Sequence, residues 1–235
     1  MNPSPLFIPN YTICRVVSRL NRFTVIVDID GKKNYAYTNN TGRLGNLLIK
    51  GNLGLCLSKK RGKLRYLLFA LRDSHDKYAI IDTRLQMKTF EYLVNNHLIP
   101  WLYCCKIKRR DVKILDSKID FLIKCRDKEY YTEVKSAVLR INGYASYPDC
   151  PSIRGRRHIM TLINIRKMKM YSLILFIAGL PGVKGFKPNS KADPIIHSLL
   201  KEAISNNVLI KAISMYFDTK SKRIVLENLD LPVYI

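Results

Sequence analysis

Acidic residues are scarce in this chain. Asp and Glu number 18 against 41 Lys and Arg in 235 residues, a formal net charge of +23. That imbalance predicts a polyanionic partner: nucleic acid first, an anionic membrane surface second. No long amphipathic basic helix of the membrane-surface type is legible, so no membrane partner is expected. Long hydrophobic runs are missing too. The longest, Tyr171 to Ala178, is far too short to span a bilayer. Met1-Asn-Pro-Ser-Pro-Leu-Phe-Ile lacks a charged start followed by an apolar core, and no signal peptide is expected. Cys14, Cys56, Cys104, Cys105, Cys125 and Cys150 form no C-x-x-C pair, which argues against zinc and dithiol chemistry. Free thiols in a reducing cytoplasm are the expectation. Neither a helix-turn-helix nor a zinc finger is present to read bases in a major groove.

What is present reads as a folded chain: 47% hydrophobic and 25% charged, long enough for one large domain or two small ones. Residues 1–80 carry several short alternating strands with turn signals and no convincing helix. They include Arg22-Phe-Thr-Val-Ile-Val-Asp28, Leu53 to Ser58 and Leu64 to Leu71. A small β-barrel or sandwich follows from that pattern, and five-stranded barrels often bind nucleic acid on one face. The basic turn holding Lys59, Lys60, Arg61, Lys63 and Arg65 is either a phosphate-contacting loop or a solvated hairpin.

The pattern changes near residue 80. Met87, Phe90, Val94 and Leu98 are spaced as one helix face over Arg84 to Leu98, with Glu91 at its edge. A carboxylate there needs a cation or a metal unless it reaches water. Lys118-Ile-Asp-Phe-Leu-Ile-Lys-Cys125 and Tyr130-Tyr-Thr-Glu-Val-Lys-Ser136 alternate around a charged turn and read as a β-hairpin. With Arg126 paired to Glu129, Lys135 falls opposite Asp120, and Glu133 sits diagonally on the same face. Asp120 and Glu133 could then hold Mg²⁺, with Mn²⁺ as a substitute, while Lys135 steadies a phosphate. The plainer reading is a surface hairpin with an ion pair of little worth.

Ser152 is expected to cap a helix with Ile159, Leu162, Ile163 and the Arg166 stem on its core face. Arg154, Arg156 and Arg157 crowd its start, where cations oppose the helix dipole unless an anion arrives. A phosphate site is expected there. His158 could shuttle protons, though a lone His is more often structural. Asp149 reads as a turn former. Tyr171 to Ala178 has the composition of a central strand covered on both faces. Asp193-Pro194 opens a helix carrying Ile196, Leu199, Leu200 and Ala203, and Val208 to Phe217 returns as a strand. The second half is therefore a mixed α/β sheet with the acidic hairpin at its centre.

The order helix Glu91, then Asp120, then Glu133-Val134-Lys135 resembles the PD-(D/E)xK nuclease superfamily. A tighter resemblance runs the whole length. Arg22-Phe23, Asn40-Thr41-Gly42, Leu64-Arg-Tyr66, Ser117-Lys-Ile-Asp-Phe-Leu122, Thr132-Glu-Val-Lys-Ser136, Tyr147-Pro-Asp149, Arg154-Gly-Arg-Arg-His158, Phe186-Lys-Pro188 and Asp193-Pro194 are similar to motifs of the sugar fermentation stimulation protein A (SfsA) family. The resemblance implies an α/β (α+β overall) chain: an OB-like β-barrel over residues 1–80, then a mixed-sheet, restriction-endonuclease-like α/β domain over 81–235. It also implies DNA binding without strong sequence preference and a role in the expression of sugar-utilisation functions. The alternative is a Mg²⁺-dependent nuclease with Glu91, Asp120, Glu133 and Lys135 as catalytic groups. Expected nucleic-acid contacts are Arg22, Asn40, Lys59, Lys60, Arg61, Arg65, Arg154, Arg156 and Arg157. RNA is not excluded as a partner, with Tyr35, Tyr37 and Tyr66 as candidate stacking residues, and a homodimer is compatible with the sequence. Asn39 stands where the family has Pro and Leu44 where it has Met; neither departure touches the acidic residues.

Overall fold

The computed structural model describes residues 6–60 and 62–235, so Arg61 of the basic turn lies outside the described residues. The first half is built of β1 (Thr12–Asn21), β2 (Thr24–Ile29), β3 (Lys32–Tyr37), β4 (Leu53–Ser58) and β5 (Tyr66–Ser74). Strand β1 pairs with β2 and β4, β2 with β3, and β4 with β5; a parallel β3–β5 pairing closes the barrel. Alternation decides which side faces in. On β2, Val25, Val27 and Ile29 are buried while Thr24, Ile26 and Asp28 are only half-buried.

The second half holds β6 (Lys77–Ile80), α1 (Thr83–Asn95), β7 (Cys105–Ile114), β8 (Ser117–Cys125), β9 (Lys128–Ser136), β10 (Leu139–Ile141), β11 (Tyr144–Tyr147), α2 (Ile153–Lys167), β12 (Tyr171–Ala178), β13 (Phe186–Pro188), α3 (Pro194–Ser205), β14 (Leu209–Asp218) and β15 (Arg223–Asn228). Strand β6 pairs with both β5 and β14, so barrel and second half share one sheet, continuing β14-β12-β9-β8-β7. In the centre, β12 runs parallel to β9 and to β14. Ile174 and Phe176 join the core built with α2 and α3, through Ile159, Leu162, Ile196 and Leu200. Leu175 and Ile177 join the core on the α1 side, with Phe90, Leu93 and Val94. Covering on both faces is why this segment can be uninterruptedly apolar.

Helix boundaries follow the capping residues. Asp82 accepts from the backbone of Arg84 and Leu85, Ser152 from Gly155, and Asp193 from Ile196. Leu98 falls beyond α1 and is exposed; Gln86, Thr89 and Leu93 complete the buried face instead. The Gly/Pro-containing segments around residues 139–151 and 179–191 contribute β10, β11 and β13 to a small three-stranded sheet. Strands of three or four residues have no periodicity to display; their partners, not their own sequence, make them extended.

The expectation of free thiols throughout is overturned. Cys105 and Cys125 are joined in a disulfide across β7 and β8, while Cys14, Cys56, Cys104 and Cys150 remain free. The two are direct cross-strand partners, a consequence of the hairpin register that no cysteine spacing reveals. The bridge spans 20 positions, and restricting the unfolded chain by that much is worth about 3 kcal/mol. Cys125→Ser should lower stability by about that amount in chemical denaturation. Reductant should destabilise the native sequence and leave the variant unchanged.

Candidate active site

The two strands that carry the acidic residues meet in a two-residue turn. Cys125 pairs with Lys128, leaving Arg126 and Asp127 at the tip, and Arg126 takes a positive φ of 53°. Register then runs through Lys124↔Glu129 to Phe121↔Thr132. The expected pairing of Arg126 with Glu129 is therefore off by two residues: one step past the end of the ladder, Asp120 is set against Glu133, not Lys135. A slip of two preserves the face, so the three side chains still converge. Beyond Phe121 the strands part, and Asp120 Oδ2 accepts from the backbone N–H of Val134 at 2.8 Å, in the place of a ladder carbonyl.

Glu133 and Lys135 are both buried, at 2% and 8% exposure. Lys135 Nζ lies 2.5 Å from Glu133 Oε1. The same oxygen receives His158 Nδ1, brought in by the first turns of α2. Glu133 Oε2, equally buried, has no partner among the described residues. Leaving a charged oxygen buried without a partner is costly, and a water or an ion would satisfy it. Burial pushes Glu133 upward, but Lys135 and His158 outweigh it and hold the carboxyl below its usual range. Burial alone would lower Lys135; the Glu133 charge raises it instead. Asp120 goes the other way: burial, and then the charge of Glu133, raise it to about 7.

Asp120, Glu133 and Lys135 line a cavity of about 560 Å³ between the barrel and the second half. Arg22, Asn40, Asp149 and Arg154 also line it. Asn40 is committed to structure there: its amide donates to the Ile81 carbonyl and its oxygen accepts from Gly42 N. Asp149 does more than turn the chain. Its carboxylate accepts from Leu44 N across the two halves, at 2.9 Å. A Cβ on Gly42 would come within 2.4 Å of that carboxylate, so only glycine lets the two loops close. Neighbouring Asn39 bonds the Asp82 carboxylate and the Thr83 backbone, tying the barrel to the start of α1.

Other expected site residues land elsewhere. Glu91 is not part of this cluster; it is bonded to Arg110 of β7, with Oε1 2.6 Å from Nε. The α1 residues that do line the cavity are Thr83, Gln86 and Met87, and Gln86 donates to the Ile80 carbonyl. Helix spacing alone could not separate a carboxylate at the stripe's edge from one aimed at the site. Arg156 is likewise spoken for: its Nε contacts both oxygens of buried Asp193, at 3.1 and 3.0 Å. Asp193 also accepts from Ser152 N, so one carboxylate from within the chain sits at the α2 N-terminus and serves Arg156. Lys60 and Arg65 are exposed on the barrel, and Lys59 stacks over Tyr37 at 4.7 Å. The sequence held His158 to a proton-shuttle or structural role and missed its contact with Glu133, which depends on the packing of α2 against β9.

Residues 17–81 match the model of the SfsA N-terminal OB domain, and residues 84–221 match that of the sugar fermentation stimulation protein RE domain. The chain belongs to the sugar fermentation stimulation protein (SfsA) family. It is 42% identical over 233 residues to the sugar fermentation stimulation protein homolog of Pyrococcus furiosus, covering 99% of both chains. With the homolog of Archaeoglobus fulgidus it shares 43% over 228 residues, covering 97% of this chain and 98% of that one. Its fold superposes on the solved structure of Pyrococcus furiosus SfsA in complex with Ca²⁺ with a TM-score of 0.94 at 41% identity, over 99% of each chain. The N-terminal barrel is accordingly an OB domain, and the whole is a mixed α/β structure of the SfsA type. Among the described residues, no helix is long and apolar enough to cross a membrane.

Proposed function

We propose that this SfsA-family protein binds DNA without strong sequence preference and hydrolyses its phosphodiester bonds with a divalent cation held by Asp120 and Glu133. The observation that carries the reading is the division of labour on Glu133. Oε1 takes Lys135 and His158, and buried Oε2 has no partner among the described residues. Two carboxylates of this kind suit a hard cation that keeps several waters, as Mg²⁺ does, with Mn²⁺ able to replace it. The Ca²⁺ of the Pyrococcus furiosus relative supports a divalent cation in this family. When bound, such an ion neutralises charge on the phosphate and lowers the pKa of an attached water.

The chain's own residues would do the rest. Lys135, kept cationic by Glu133, steadies the charge that develops on the phosphate or orients the attacking water. His158 is a positioning residue, fixing the Glu133 carboxylate from behind. Arg22 and Arg154 at the cavity wall supply strand contacts, and exposed Lys60 and Arg65 extend the basic surface over the barrel. On this reading residues 1–80 hold the nucleic acid and 81–235 cut it. A role in the expression of sugar-utilisation functions would act through that binding. A binding protein without catalysis is the second reading, favoured by the +23 charge, which requires no chemistry.

Supercoiled, linear and single-stranded DNA incubated with Mg²⁺, Mn²⁺ or EDTA separates the two. Metal-dependent nicking that disappears in Asp120→Ala and Lys135→Ala is the expected result. Salt-sensitive binding with no cleavage under any condition would leave only the second reading. RNA run in parallel tests the other substrate class. His158→Ala should weaken both cation affinity and cleavage by roughly 10- to 100-fold. Calorimetric cation titration checks the first effect directly; an unchanged affinity would contradict a positioning role.

A further inference from the structure

The arginine run at the start of α2 divides into two fates. Arg156 is held by Asp193, whereas Arg154 and Arg157 are exposed and line a second cavity, of about 380 Å³. This cavity lies between the first turns of α2 and the β7–β8 turn. Among the described residues its wall carries four cations, Lys113, Lys118, Arg154 and Arg157, against a single carboxylate, Asp116. Two of the placements are unfavourable unless an anion is bound. Lys113 and Lys118 are direct cross-strand partners, and like charges in that relation repel. Arg154 and Arg157 are three apart at the start of α2, where they repel one another and Arg154, in the first turn, also opposes the dipole. Lys118 has an exposed partner in Asp111 at 3.0 Å, which relieves one of the four. The Ser117 hydroxyl, bonded to Thr161 at 2.8 Å, pins the turn to α2, so the wall is held in shape by buried contacts. The cavity also adjoins the acidic centre. Arg154 lines both, and His158, whose Nδ1 is taken by Glu133, lines this one.

We infer that this cavity is a phosphate-binding subsite, holding a second phosphate of the nucleic-acid strand whose neighbouring phosphodiester lies at Asp120 and Glu133. The identity of the neighbour rests on the phosphodiesterase reading; the anion itself is argued from the cavity alone. The phosphate is a terminal monoester or an adjacent backbone diester, since both offer the paired oxygens that arginine grips in a fork. A terminal monoester would make the cavity a reader of strand ends.

The test is anisotropy titration in EDTA, where binding is measured without cleavage. One labelled oligonucleotide sequence is used in four forms: 5′-phosphorylated, 3′-phosphorylated, hydroxyl at both ends, and circular. Lys113→Gln/Arg157→Gln is compared with a control, Lys106→Gln/Lys201→Gln, that removes two exposed charges outside both the barrel and the cavities. The cavity variant should lose about tenfold or more in affinity, beyond the control, for at least one form. Loss confined to one phosphorylated end identifies a terminal phosphate; equal loss on all four identifies the backbone. A cavity variant no weaker than the control on every form, or a native protein that binds none of the four, overturns the subsite. Separately, binding of this pattern with no cleavage in Mg²⁺ or Mn²⁺ would overturn the nuclease reading and leave the subsite standing.

Discussion

Asp120→Asn should end cation-dependent cleavage and, without metal, raise the stability of the protein above pH 7. The two effects come from one cause. Burial and the facing Glu133 lift the Asp120 carboxyl from 3.8 to about 7, so its charged form is the disfavoured one in the folded chain. Below about pH 4 the residue is protonated folded and unfolded, and is neutral to stability. Between about pH 4 and pH 7 the unfolded chain releases this proton while the folded chain keeps it, so stability falls as pH rises. A difference of that size corresponds to roughly 4 kcal/mol, fully felt above pH 7. Glu133 does not mask the trend. Its folded carboxyl is held low, so its contribution is lost only as pH falls below the ordinary carboxylate range. Asn is neutral and retains an oxygen for the Val134 N–H. Melting in EDTA from pH 5 to 8 should therefore decline for the native sequence and stay flat for Asp120→Asn. A divalent cation should reverse the decline in the former alone. Equal pH dependence in the two proteins would refute the assignment.

Lys135→Met should be damaging twice over. The ammonium is the principal counter-charge of a carboxylate that is 2% exposed, and deleting one member of a buried pair costs about 3–5 kcal/mol. Met fills the space of the stem, so the loss is that of the uncompensated charge on Glu133 and not of packing. Restoring neutrality with Glu133→Gln/Lys135→Met should recover much of that stability, giving a double variant less destabilised than the sum of the singles. Denaturant titrations of the four proteins measure the coupling, and additivity would mean that the pair does not interact. Cleavage should behave differently. The double variant should be as inactive as either single, down on the order of 10²–10³ or more, because stability returns and the charge opposite the phosphate does not.

The chain's chemistry was legible because it lies in short alternating strands. The positions of Asp120, Glu133 and Lys135 on a common hairpin face follow from the period of two, and that inference survived an error of two residues in the register. Capping residues Ser152 and Asp193 and the apolar run of β12 marked their elements for the same local reason. Three matters were not local. Which helix side chains reach the site depends on how α1 rotates against the sheet: Thr83, Gln86 and Met87 line the cavity, and Glu91 meets Arg110 instead. The fates of the clustered arginines depend on α3 delivering Asp193 to the start of α2, which uses Arg156 and leaves Arg154 and Arg157 free to line cavities. The partnership of Cys105 with Cys125 is set by β7–β8 register, and that of His158 with Glu133 by the packing of α2 on β9. Sequence by itself determined the charge, the strands and the acidic hairpin, since each is encoded within a few residues. Only the tertiary structure decided which charges neutralise one another, because those pairs join residues 19 to 37 positions apart, and separation in sequence carries no record of distance in space.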